Sequence, residues 1–166
     1  MEDLHRLSLG LANTAMYEPG EAENGKQRVG DDDRSSHVVC LVDDDLSLRK
    51  SVSRLLESDG FEVRAFAEAQ EFLTFLATNT VEVAVLDIWM DEMTGMELMA
   101  HLCAKSPQTR VIFITGREDR AAEATVKQAG AYALFHKPFD DEQFLSSVRL
   151  AVTHSFLTAE RRQGVG

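Results

Sequence analysis

Three aspartates in a row, Asp43, Asp44 and Asp45, close the apolar run VVCLV, and a single aspartate, Asp87, closes VAVL. Thr115 and Gly116 follow VIFI, and Lys137 with Pro138 follows YALFH. Continuous, often β-branched apolar runs of this length suit strands buried on both faces of a parallel sheet. A sheet that aligns its strand ends would therefore bring these side chains to one edge. Like charges about 5 Å apart repel by about 3 kcal/mol per pair at an effective dielectric near 20, so gathered carboxylates either protonate or share a cation. All-oxygen ligation with few protein ligands, and room for water and phosphate, suits Mg²⁺ better than zinc. Within the triplet, one aspartate can cap the following helix while the others hold metal. The earlier triplet, Asp31 to Asp33, lies in polar, glycine-containing chain and reads as a solvated run.

The elements that must position these groups alternate along the chain. Strands are expected at residues 38–42, 62–66, 83–86, 111–114 and 132–136. Amphipathic segments lie between and after them, marked by Leu48, Val52, Leu55 and Leu56, by Phe72, Leu73 and Leu76, by Leu98, Met99 and Leu102, by Ala122, Val126 and Ala129, and by Leu145, Val148, Ala151 and Val152. Gly60 and Gly130 fall just past two of them, where helices end on glycine. Five βα units with right-handed crossovers imply an α/β, doubly wound parallel sheet with helices on both faces and a site beyond the carboxyl ends of the strands. Residues 1–36 differ in kind and read as a flexible acidic tail, in which Leu4, Leu7 and Leu11 share helical spacing over too short a stretch to hold a helix alone. Residues 37–153 form the folded domain, and 154–166 extend the last helix into a C-terminal tail.

Composition narrows the function. The chain has 166 residues, 44% of them hydrophobic, which is enough for one ordinary domain. Its 17 Lys and Arg against 28 Asp and Glu give a net charge of −11, which argues against a general nucleic-acid or anionic-membrane binder. Cys40 and Cys103 sit far apart in apolar stretches, as reduced core residues do, and suggest a cytoplasmic protein. No run approaches a membrane span, and MEDLHRLSLGL lacks the start of a signal peptide. The five histidines are too dispersed for a metal site, and there is no Walker A or dinucleotide glycine motif.

Four patterns in order, LVDDD, VAVLDIWMDEMTG, IFITG and AGAYALFHKPF, resemble the receiver domain of bacterial two-component response regulators over residues 37–153. The resemblance implies a flavodoxin-like sheet of order 2-1-3-4-5 with five helices. It implies that Asp87 accepts a phosphoryl group from a histidine kinase or phosphotransfer protein, or from a small acyl phosphate. It implies Mg²⁺ held by Asp43, Asp44, Asp87 and the backbone carbonyl of Trp89, one of the acidic pair acting directly and the other through water. The spacing to Arg49 favours Asp43 with Asp44 over Asp44 with Asp45. Thr115 would donate its hydroxyl to the phosphoryl oxygens, Gly116 would leave the site open, and Lys137, before a cis Pro138, would supply positive charge. The readout would be a downstream protein or homodimerisation through the face of helix four, strand five and helix five, without direct nucleic-acid or membrane contact. Such a chain accepts and loses phosphate without being a multiple-turnover enzyme.

Two positions depart from that pattern. Asp91, followed by Glu92, stands where the family usually has proline, and solvent-facing carboxylates are expected there. Leu134 stands where the family usually keeps a switching aromatic; Tyr132 falls on the same strand face by the period of two and could substitute, but a static surface tyrosine is the expected reading. A haloacid-dehalogenase-like phosphatase is the rival from another class, since Asp43, Asp45 and Ser47 imitate D-x-D-x-[TS], but it leaves Asp87 unexplained. A degenerate receiver acting only as an interaction module is a second rival. The few residues after the last helix cannot form a helix-turn-helix, so no DNA-binding output domain is expected within these residues.

Overall fold

A computed structural model describes residues 37–163, with side chains described as far as Ser155. The tail at 1–36, with Asp31 to Asp33 and the leucines at 4, 7 and 11, and the side chains after Ser155 lie outside the described residues. The elements run β1 Val38–Val42, α1 Leu46–Ser58, β2 Glu62–Phe66, α2 Ala69–Leu76, β3 Val83–Asp87, α3 Gly95–Lys105, β4 Arg110–Thr115, α4 Arg120–Gln128, β5 Ala133–His136 and α5 Asp141–Gln163. The five strands pair in parallel in the order β2-β1-β3-β4-β5.

The sheet separates two apolar layers, as its double winding requires. On one side Phe72, Leu73 and Leu76 of α2, Leu98, Met99 and Leu102 of α3, and Ala122 and Val126 of α4 cover Cys40, Val42, Ala84, Leu86, Val111 and Phe113. On the other, Val52 and Leu56 of α1 with Phe144, Leu145, Val148, Ala151 and Val152 of α5 cover Val39, Leu41, Val83, Val85, Ile112 and Ile114. All three middle strands are buried on both faces, which is why their sequences are apolar throughout rather than alternating. Burial pushes the Cys40 thiol up to about 12, so it is an inert core residue, whereas Cys103, expected in the core as well, is exposed on the outer side of α3. Gly60 and Gly130 end α1 and α4 at φ +92° and +93°, a conformation that favours glycine. Arg149 of α5 ties back to the end of α1, its guanidinium donating to both Asp59 oxygens at 2.8 and 2.6 Å.

Tyr132 corrects one expectation. It lies outside β5, which starts at Ala133, so strand alternation does not govern it. Its ring packs with the α1/α5 layer and its hydroxyl meets His154 Nδ1 at 2.9 Å, whereas Leu134 packs into the opposite layer. Tyr132 therefore cannot take the place of the missing aromatic at Leu134.

Candidate functional site

Strand register brings the chemistry together. Val42 pairs with Leu86, so the next residues, Asp43 and Asp87, leave adjacent strands side by side. Asp87 pairs with Ile114 and Thr115 with His136, which brings Thr115 and Lys137 to the same edge. Carboxylate oxygens of Asp43, Asp44 and Asp87 all lie within 4.8 Å of one another. Lys137 Nζ stands 3.2 Å from Asp43 Oδ2 and 3.8 Å from Asp87 Oδ1.

Each aspartate of the triplet has a different task. Asp43 is fully buried, and its Oδ1 accepts the Asp45 N–H at 2.8 Å. Asp44 is exposed at the rim. Asp45 caps α1, accepting the N–H groups of Ser47 and Leu48 at 2.8 and 3.0 Å, and takes no place in the cluster. Arg49 reaches back from α1 to the carbonyl oxygens of Asp43 at 2.7 Å and Asp44 at 3.1 Å, fixing the turn that carries both. With both Asp43 oxygens engaged, that residue is poorly disposed to act as the nucleophile a dehalogenase-like phosphatase would need.

Thr115 is buried at the end of β4, and its hydroxyl oxygen accepts the Arg117 N–H at 3.2 Å and lies 3.3 Å from the Arg117 carbonyl oxygen. The Lys137–Pro138 bond is cis, and the Lys137 N–H donates to the Thr115 carbonyl at 2.8 Å. A Cβ at Gly116 would meet only the Lys137 stem, at 3.8 Å, so the edge is open there. Asp91 and Glu92 are exposed, as expected of solvent-facing carboxylates, and Asp91 lines a cleft of about 530 Å³ beside Asp44, Glu68, Met90 and Met93.

Two features escaped the reading of motifs. Gly95, the last residue of the DIWMDEMTG loop, packs the first turn of α3 onto the end of β3, and its N–H donates to the Ile88 carbonyl at 2.8 Å. Thr94 and Glu97 fix that turn with a reciprocal capping box, a pattern visible in the sequence as T-x-x-E. Arg117 places its guanidinium 5.3 Å from the Trp89 ring centroid.

Burial pushes Asp87 up to about 6; Lys137 and the Trp89 N–H oppose the rise and the charge on Asp43 adds to it. Burial raises Asp43 as well, against the Asp45 N–H and Lys137. One ammonium thus serves a cluster that remains short of positive charge, and three oxygen-bearing groups fit a hard divalent cation. Because Asp87 is raised in the folded chain, its own contribution to the stability of the metal-free protein should be lost as pH rises from about 4 to about 6, so that wild type falls relative to Asp87→Asn across that range, and Mg²⁺ should restore it. A divalent cation bound there would compete with protons in that window. The apparent Mg²⁺ dissociation constant, titrated by Trp89 fluorescence, should be level above about pH 7 and rise roughly tenfold per pH unit below about 6. A constant affinity down to about pH 5 would contradict this.

Residues 39–149 match the family described as the response regulator receiver domain. The chain is 32% identical over 134 residues to response regulator protein TmoT of Ectopseudomonas mendocina, covering 81% of this chain and 59% of that protein. It is 36% identical over 124 residues to the C4-dicarboxylate transport transcriptional regulatory protein DctD of Rhizobium meliloti, covering 75% of this chain and 27% of that protein. It thus spans less than two thirds of the length of these curated relatives. Among solved structures, a CheY-like receiver domain protein from Methanospirillum hungatei superposes with a TM-score of 0.69 at 26% identity, covering 74% of this chain and 98% of that one. The beryllofluoride-activated NtrC4 receiver domain dimer superposes with a TM-score of 0.68 at 30% identity, covering 71% and 98%.

Proposed function

The chain belongs to the response regulator receiver domain family, and we propose that it takes a phosphoryl group onto Asp87 from a phosphohistidine of a histidine kinase or phosphotransfer protein. The observation that carries this reading is the buried Asp87 carboxylate facing the Lys137 ammonium within a cluster completed by Asp43 and Asp44. An Asp87 oxygen attacks phosphorus in line; the new O–P bond forms as the P–N bond breaks, and its electron pair leaves with the imidazole. Lys137 neutralises charge on the transferring group. Thr115 turns its hydroxyl from Arg117 to a phosphoryl oxygen. Asp43, Asp44, Asp87 and the Trp89 carbonyl would hold Mg²⁺, which when bound supplies charge neutralisation to the phosphoryl oxygens. Hydrolysis of the acyl phosphate returns the chain to its starting state, so it turns over as a signal and not as a general phosphatase.

The added charge at Asp87 biases a two-state equilibrium of the loops after β3 and β4 and of the α4–β5–α5 face, where a downstream protein or a second copy binds. Leu134 takes no part as an aromatic switch, so the loops themselves carry the change. The acidic net charge supports a protein partner over nucleic acid. Among the described residues no helix is long and apolar enough to cross a membrane, and we place the chain in the cytoplasm, where its phosphodonors act.

Trp89 is the only tryptophan and reports on the site directly. Its fluorescence should change on adding Mg²⁺ and again on adding acetyl phosphate, the second step being lost in Asp87→Asn. Absence of any response to either ligand defeats the reading.

A further inference from the structure

Arg117 has no carboxylate of the described residues within ion-pair distance, in a chain of net charge −11. Its guanidinium instead lies 5.3 Å from the centroid of the Trp89 ring. The Trp89 indole N–H is buried without a hydrogen-bond partner, so packing and the cation, not a polar contact, hold the ring. The same Arg117 supplies the backbone N–H and carbonyl that occupy the Thr115 hydroxyl, at 3.2 and 3.3 Å. One residue therefore does two things: its side chain fastens the loop after β4 to the loop after β3, and its backbone keeps the Thr115 hydroxyl engaged.

We propose that the Arg117–Trp89 stack is a latch that holds the Thr115 turn in the unphosphorylated arrangement, making Arg117 a positioning residue that sets how readily the site accepts a phosphoryl group. This rests on the reading of Asp87 as phosphoacceptor and goes beyond it. For Thr115 to donate to a group on Asp87, its hydroxyl must leave the Arg117 backbone, and a turn anchored through the Arg117 side chain resists that movement. Affinity for an activating ligand is reduced by the fraction of molecules in the competent state, so loosening the anchor raises it.

The test measures beryllofluoride binding to the full chain in saturating Mg²⁺ by calorimetry. Arg117→Ala should bind about three- to tenfold more tightly than wild type, the span expected from losing a cation–π contact. Trp89→Leu keeps the positive charge and removes the ring, so it too should tighten binding, while the double variant should gain no more than the stronger single. Arg117→Lys keeps a cation over the ring and should stay near wild type. In the metal-free chain, acrylamide quenching of Trp89 should rise in Arg117→Ala and not in Arg117→Lys. Unchanged or weaker beryllofluoride binding in Arg117→Ala or Trp89→Leu overturns the latch. Failure of wild type to bind beryllofluoride at all overturns the reading of Asp87 instead, which separates the two failures.

Discussion

Replacing Gly95 with alanine is expected to lower the unfolding free energy by about 3 kcal/mol or more and to cost the site its geometry. A Cβ at Gly95 would lie 2.1 Å from the Asp87 carbonyl oxygen and 3.0 Å from both the Asp87 carbonyl carbon and Phe113 Cε1. The first two obstacles are backbone at the carboxyl end of β3, the middle strand of the sheet, and cannot turn aside. Phe113 is fully buried within the apolar layer under α3 and α4. Relief requires α3 to move off β3, which would break the Gly95 N–H bond to Ile88 and displace the peptide that carries Asp87. In a domain of this size the loss corresponds to a fall of roughly 10 °C in Tm, accompanied by markedly weaker Mg²⁺ binding. By contrast, Gly116→Ala meets only the Lys137 stem at ordinary contact distance and should fold normally. Equal stability of the two alanine variants in thermal unfolding would show that α3 does not depend on this approach.

Asp87→Asn is expected to act with opposite signs on stability and on loading. At neutral pH the metal-free chain keeps a carboxylate whose burial pushes it up to about 6, so its ionised form is disfavoured by the fold. The neutral amide removes that cost, and the metal-free variant should be more stable than wild type by about 1–2 kcal/mol, or roughly 5 °C in Tm. The gain should shrink as pH falls below about 6, where wild-type Asp87 is itself protonated. Loading should meanwhile fall below detection, with beryllofluoride affinity reduced at least about 100-fold, because no carboxylate remains to take the ligand. A variant that is less stable at every pH would mean that the Lys137 ammonium, and not burial, dominates the energetics of Asp87.

The strand ends were legible because each buried strand is an unbroken apolar run, so the first polar residue after it marks the edge of the sheet. Asp87 and Thr115 stand out for that reason alone, whereas Lys137 follows His136 on a partly exposed strand and is marked instead by the Lys-Pro pair after that strand. The acidic triplet was legible only in part. Its position showed that it belongs to the edge, and the spacing to Arg49 favoured Asp43 with Asp44, but only the coordinates show Asp45 spent on the helix cap while Asp43 faces Lys137. The β5 end misled in one respect, since alternation was extended to Tyr132, one residue before the strand begins. Gly95 could be seen as part of a motif, yet its reason is a tertiary approach between a helix start and a strand end that no local pattern encodes. The Arg117–Trp89 contact likewise joins two loops 28 positions apart and depends on the register of β3 with β4.

The central claim is that Asp87 is the phosphoryl acceptor, and the most direct test is the intact mass of the chain after incubation with acetyl phosphate and Mg²⁺, followed by peptide mapping. One added phosphoryl group on the peptide containing Asp87, labile to hydroxylamine as an acyl phosphate is, absent without Mg²⁺ and absent in Asp87→Asn, is the expected result. An adduct that persists undiminished in Asp87→Asn, or none in the wild-type chain, would contradict it.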